Sequence, residues 1–304
     1  MRLRLAITII ALLIAVPFAL QPRAETADRA KFLQSYEWHG SHKFFGGFSA
    51  VELDSKGTGF IALSDRTLAV KGTIERHKGQ ITGIKVSKKQ SLLGTDGKKL
   101  WKLKRDSEGL AIGKDGRLFV SFEMLPRVWS YASPWGRPEP LPEHASFAKM
   151  EQNRALEALA IDASGRLYTL PEKPLRGSKT LPLYVFDGTW RVVRQLSHLN
   201  GFAPVGADFG PDGHFYLLER NFGGLGFRSR VRRFELGASD PTGEILFTSD
   251  LGDHDNLEGL SVWRDQDGHI RLTMLSDDNF KFFQKTEFVE YVVTEKLAKP
   301  PTTH

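Results

Sequence analysis

Three features of this chain predict an all-β fold built from one unit repeated around an axis, a six-bladed β-propeller, with five to seven blades compatible with the length. The first is a degenerate repeat: an acid-bearing entry, a short apolar run, an Asp-Gly type turn, and a second apolar run closing on an acid. The second is its period, 49 residues from Glu108 to Glu157, 48 from Glu157 to the aligned Val205, and 53 from Val205 to Glu258. Strand–turn–strand units at such a period are a propeller signature. The third is the punctuation: Asp115-Gly116, Asp212-Gly213 and Asp267-Gly268 suit tight hairpin turns, because Asp and Gly tolerate positive φ.

The copies follow in order. A weak one begins at Gly47-Phe48-Ser49 and closes on Asp65-Arg66. The next runs from Asp106 and Glu108 to Glu123, and the third from Asn153 and Glu157 through Ser164-Gly165 to Glu172. A fourth, around Asp208, closes on Glu219-Arg220, and the fifth runs from Asn256 and Glu258 to Asp277-Asp278-Asn279. Longer insertions at residues 126–147 and 221–230 are expected as surface loops, and residues 145–155 hold the one short helix expected. The six blades come from dividing a mature chain of about 280 residues by a period of about 50. A strand near Phe44 should share a blade with residues 288–293, closing the ring and removing exposed strand edges.

Met1 to Arg4 is basic and residues 5–22 carry no charge, the pattern of an export signal. Residues 1–24 are therefore expected as a signal peptide, or as an anchor if uncleaved, since the run nearly suffices to span a bilayer. Residues 32–296 are expected as the propeller domain, exported to the periplasm and monomeric, with membrane contact only through an uncleaved amino terminus. The chain has no cysteine, so disulfides, thiol chemistry and a lipid-modified cysteine are excluded. Its net charge of +6 falls to +3 once Arg2, Arg4 and Arg23 are removed with that segment, which argues against a nucleic-acid partner. Clustered Lys and Arg at residues 85–104 and 228–233 leave room for a small anionic ligand.

A closed ring of repeats relates equivalent positions by rotation, so Glu108, Glu157 and Glu258 should approach one axis. Carboxylates that converge without a cation raise one another's pKa, and a hard cation bound by oxygens, typically Ca²⁺, relieves the repulsion. The other role open to them is to accept backbone N–H groups of the neighbouring blade and lock the ring. The acids and arginines that close the strand pairs, Asp65, Arg66, Glu219, Arg220 and Asp277 with Asn279, should join them at one channel mouth. There an acid next to an arginine suits a cation and a phosphate side by side, or else an interblade salt bridge. The blade-four stretch Val205-Gly206-Ala207-Asp208 lacks the aligned Glu, so a ring is interrupted there unless Asp208 substitutes.

Other templates fit poorly. No Gly-x-Ser-x-Gly elbow marks Ser49 as a nucleophile, and Arg76-His77-Lys78-Gly79 lacks the residues of a histidine phosphatase. His39 and His42 have no third zinc ligand in view. Asp250, Asp253 and Asp255 do not follow the calcium-loop frame. The glycine loop 223–226 is not a dinucleotide fingerprint.

Five stretches in order resemble the phytase-like family of exported bacterial propellers, named for an esterase-like activity of phytase. They are Gly47-Phe48-Ser49-Ala50 with Leu63-Ser64-Asp65-Arg66, residues 106–111, residues 153–159, residues 217–220, and residues 256–260 with 276–280. The resemblance implies a propeller and hydrolysis of phosphate esters aided by calcium. The sequence has no unambiguous nucleophile or general base, so a non-catalytic ligand- or protein-binding propeller of the envelope is the alternative.

Overall fold

The structure, a computed structural model, describes residues 28–40, 45–152 and 154–294. The expected signal segment 1–24, His42, Phe44, Asn153 and the last two residues of the 32–296 span lie outside them. The described chain opens with β1 (Ala30–Glu37) and then runs through four sheets in sequence. Blade one is β2 (Phe48–Leu53), β3 (Gly59–Ser64), β4 (Leu68–His77) and β5 (Gln80–Ser91); blade two is β6 (Ser107–Ile112), β7 (Leu118–Phe122), β8 (Arg127–Tyr131) and β9 (Pro138–Pro140). Blade three is β10 (Leu156–Ile161), β11 (Leu167–Pro171), β12 (Thr180–Phe186) and β13 (Trp190–Ser197). Blade four is β14 (Ala203–Phe209), β15 (Phe215–Phe222), β16 (Phe227–Phe234) and β17 (Glu244–Thr248). Blade five joins β18 (Asn256–Arg264), β19 (Ile270–Asp277) and β20 (Glu287–Val293) to β1.

There are thus five blades, not six, each an antiparallel sheet of four strands. The blade count estimated by division overshoots because blade one is long. The aligned positions Ser49 and Glu108 lie 59 residues apart, and the hairpin of β4 and β5 has strands of 10 and 12 residues. The ring closes as expected through the C-terminal strand, but its partner is β1, upstream of residue 44: Ala30 pairs with Val293 and Glu37 with Glu287. The expected helix at residues 145–155 is one 3₁₀ turn, Phe147–Lys149.

The hydrophobic core is five layers, each between two neighbouring blades. Between blades four and five, for example, Val205, Tyr216, Leu218 and Val231 pack on Leu257, Leu260, Leu272 and Met274. This arrangement explains the burial of every residue of β19 and of all of β18 but its last, Arg264, since the two faces meet two different neighbours. Near the axis the five inner strands crowd. The residue after the acid position is Ala50, Gly109, Ala158, Gly206 or Gly259, and a Cβ on Gly206 would stand 2.3 Å from the Glu258 carbonyl oxygen. Only the smallest residues fit so close an approach.

The inner hairpin turns, such as Asp115-Gly116 (Gly116 φ 81°), all lie at one end of the channel. They surround a wide funnel of about 1320 Å³. A waist of about 10 Å³, lined by Val51, Leu110, Leu159, Ala207 and Leu260 among others, separates the funnel from the opposite mouth.

Candidate functional site

The opposite mouth is built by a defect that recurs in every blade. The register of the two innermost strands slips between Phe48 and Ala50, Ser107 and Leu110, Leu156 and Ala158, Pro204 and Gly206, and Leu257 and Gly259. The slips take in Ser49, Glu108, Glu157, Val205 and Glu258 in turn. A bulge leaves a residue out of the ladder and re-aims its side chain; in four of the five blades that residue is polar and reaches the channel mouth.

A second ring stands above the first, at the ends of the second strands. Ser64 pairs with Phe48, Phe122 with Ser107, Pro171 with Leu156, Arg220 with Ala203, and Asp277 with Asn256. The matching side chains are therefore Asp65, Glu123, Glu172, Arg220 and Asp277. Together with Asp106 and the four polar bulge residues they line a cavity of about 180 Å³. Blade four is the exception in both rings, with Val205 in the first and Arg220 in the second. Asp208 does not restore the ring, because it lies beyond the waist in the wide funnel with Glu52.

Burial dominates the electrostatics. It pushes the carboxyls of Glu108 and Glu157 well above the usual range, and the neighbouring carboxylates push the same way. Burial, with Glu258 and Asp65, raises Asp277 to about 8. Asp65 is raised to about 7 by burial against the pull of Arg66, and Glu123 to about 7 by burial with Asp106 and Glu172. Glu123 has carboxylate oxygens within 4.8 Å of oxygens of both Asp106 and Glu157. Carboxyl groups this close favour a shared proton or cation. Arg220 donates from Nη1 to Asn256 Oδ1 at 2.6 Å and to Glu258, and its Nη2 stands 3.8 Å from Glu172. Burial would weaken its charge, but the surrounding glutamates outweigh that and raise its pKa.

At the mouth, two sets of ligand atoms are close enough to share a metal ion: Asp106, Glu108 and Glu123, and Glu123, Glu157 and Glu172, each with oxygens within 4.8 Å of one another. Ser49 Oγ and Asp65 Oδ1 at the same mouth are buried with no hydrogen-bond partner. Orphaned oxygens beside crowded carboxylates fit an oxygen-seeking cation.

Of the residues expected at the mouth, Glu108, Glu157, Glu258, Asp65, Arg220 and Asp277 line it. Glu219 does not. It is fully buried inside blade four, receiving Arg230 Nε at 2.8 Å and Arg232 Nη2 at 2.6 Å. Register places Arg220, not Glu219, opposite the inner strand's start, and strand alternation turns Glu219 the other way. Arg66 lies outside the cavity, with its guanidinium 3.4 Å from the centre of the Phe280 ring and 3.9 Å from Asp65. Asn279 contributes its backbone, donating its N–H to Asp277 Oδ1 at 2.6 Å while its side chain is exposed.

Four lining residues were not among the expected ligands: Ser49, Asp106, Glu123 and Glu172. Glu123 and Glu172 carried a signal, since each closes its repeat as Asp65 and Asp277 do. Two of the other motifs are structural. Arg76 pairs with Glu290 at 2.6 Å, and Asp255 accepts from Gln284 Nε2 and Lys285 N at 2.7 Å each.

Fold and site define a five-bladed propeller whose channel mouth is a double ring rich in carboxylates, to which blade four contributes none. The chain belongs to the phytase-like family described as "esterase-like activity of phytase", whose model matches residues 43–280. No curated protein matches it. Among solved structures it is similar to a PQQ-bound aldose sugar dehydrogenase from Streptomyces coelicolor, at 12% identity and a TM-score of 0.47, covering 88% of this chain and 100% of that one. It is also similar to a gluconolactonase from Xanthomonas campestris, at 13% identity and a TM-score of 0.44, covering 80% and 72%. Likeness at this level carries no argument about activity.

Proposed function

We propose that this chain is an exported phosphoesterase that acts on small phosphate esters with the help of a bound divalent cation, Ca²⁺. The observation that carries the reading is the mouth itself: eight carboxyl groups and one guanidinium around one cavity, with Ser49 Oγ and Asp65 Oδ1 buried and without a hydrogen-bond partner. An anionic ester is repelled by such a site unless cations precede it. The lining is all oxygen donors apart from Arg220, with no cysteine in the chain, which suits a hard cation.

Asp106, Glu108, Glu123, Glu157 and Glu172 would hold the cation. Once bound, it supplies positive charge against the phosphate and acidifies a water. From blade four, which gives the mouth no acid, Arg220 anchors Glu258 and Asn256 of blade five. Arg66, half exposed at the rim, is the guanidinium open to a phosphate from outside. Export is supported by the basic start and the uncharged residues 5–22.

One observation favours a binding propeller without turnover: the Arg220 guanidinium is already committed to Glu258 and Asn256. A panel of phosphomonoesters, phosphodiesters and carboxylesters, with Ca²⁺ and with chelator, separates the readings. Phosphate-ester turnover that needs Ca²⁺ and falls at least roughly a hundredfold in Glu108→Gln is expected. A midpoint of unfolding raised by Ca²⁺ without turnover of any ester would leave the binding reading. No response to Ca²⁺ in either measurement would remove the cation.

A further inference from the structure

We propose that the face carrying the acidic mouth docks on an anionic lipid surface. The proposal does not depend on whether the mouth is catalytic. It begins with where exposed apolar side chains sit. Among the described residues, large apolar side chains stand strongly exposed in two kinds of place only. Some, such as Val192 and Val193, lie on the outermost strands. All the others lie at the acidic face, on its connections or, for Phe222, at the end of β15, and the connections around the wide funnel carry none.

Register fixes that placement. Asn256 pairs with Asp277, which puts the β19–β20 connection, with Phe282 (100% exposed) and Phe283, at the mouth. Ala203 pairs with Arg220, which puts the β15–β16 hairpin there, with Phe222 and Leu225 (97% exposed) at its tip. Trp101 (70% exposed) and Leu103 sit on the turn that leads into Asp106 and β6.

The three segments share a second property. Residues 101–104, 222–228 and 281–285 hold five Lys or Arg residues and no Asp or Glu. Lys102, Lys104, Arg228, Lys281 and Lys285 are exposed; the Lys281 ammonium stands 5.8 Å from the Phe283 ring, and Lys285 reaches Glu37 at 3.1 Å. The acids that line the mouth are recessed in the channel, while these three segments put cations and apolar tips on its rim; exposed acids of this face, such as Glu37, Glu151, Asp250 and Asp253, lie outside these segments. Apolar side chains flanked by Lys or Arg are the chemistry of an interfacial anchor, in which the tips enter the acyl boundary and the cations meet lipid phosphates. The tips come from three separate stretches around the mouth and form no groove, so they match a broad, planar partner better than a peptide. Water-exposed apolar tips on three loops otherwise cost solubility with no return.

The test is co-sedimentation of the full chain with vesicles of phosphatidylcholine alone or mixed equally with phosphatidylglycerol. Chelator is present, so that no cation bridges the mouth to lipid phosphate. Every protein carries Leu12→Arg and Leu13→Arg, so that the amino-terminal run does not itself insert. Binding to the anionic vesicles is expected, weakened by added salt. It should fall at least roughly tenfold in Phe282→Ser/Phe283→Ser, with a further loss in Trp101→Ser/Leu103→Ser. Val192→Ser/Val193→Ser, equally polar but on an outer strand, should bind as the parent does. Absence from the vesicle pellet, or an equal loss in the valine pair, overturns the proposal. Self-association abolished by the Phe282/Phe283 change, without vesicle binding, would overturn it in favour of a second copy of the chain.

Discussion

Glu219 and Arg220 are neighbours in sequence and belong to two different electrostatic regions. Inside blade four, Glu219 meets Arg230 and Arg232 in a triad buried on every side. Blade five has a similar cluster, in which burial would raise the Glu290 carboxyl but Arg76, Thr273 and Arg271 outweigh it and hold the pKa below the usual value. At the channel mouth the ratio is inverted: eight carboxyl groups surround one lining arginine, and burial and mutual repulsion raise their pKa values. The same residue type is compensated where it supports a blade and left uncompensated where five blades meet. Compensation inside the sheets serves cohesion; its absence on the axis leaves a demand for positive charge that only a ligand or protons can meet.

That contrast breaks most sharply at Glu219. Glu219→Ala leaves two buried guanidinium groups without their anion, so a loss of about 3–5 kcal/mol is expected in denaturant unfolding. A loss below about 1 kcal/mol would show that the triad is not compensated in the way its geometry indicates.

Glu157→Gln probes the other region and should act in the opposite sense. It removes one repelling charge at almost unchanged volume. Without Ca²⁺ the protein should therefore be as stable as the parent or more so, by about 1–2 kcal/mol. With Ca²⁺ its thermal midpoint should rise less than the parent's, because only the folded state assembles the ligands. Equal Ca²⁺ increments in the two proteins would separate Glu157 from the cation.

The smallest effect is expected beyond the waist, at Glu52 and Asp208. Burial and the nearby Asp208 raise Glu52, and burial raises Asp208 to about 7 against two backbone N–H bonds. A carboxyl whose folded pKa is raised contributes stability that is complete at low pH and is lost as pH rises through the folded pKa. Glu52→Gln should therefore match the parent below about pH 5 and exceed it by about 1 kcal/mol at pH 8. A parent whose stability does not fall across that window relative to the variant would show that the two carboxyls do not repel in the fold.

Much of this molecule was legible before its coordinates. The repeat period, the Asp-Gly turns and the apolar runs are local consequences of strand and turn chemistry, and they determined a propeller with the acids of successive units near one axis. Glu108, Glu157 and Glu258 could be placed there by rotation alone, and Asp65, Arg220 and Asp277 by their position at the ends of strand pairs. Register and closure are not local. A slip of one residue decides whether Glu219 or Arg220 reaches the mouth, and the sequence offers the pair with no mark of which faces inward. The bulge in every inner strand is decided by five strands crowding at the axis. The blade count depends on how many residues one long hairpin absorbs and on β1 returning to pair with β20. The sequence by itself determined which residues are alike; the tertiary structure decided which of them meet, because a contact between blades depends on ring closure and pairing register that no single repeat contains.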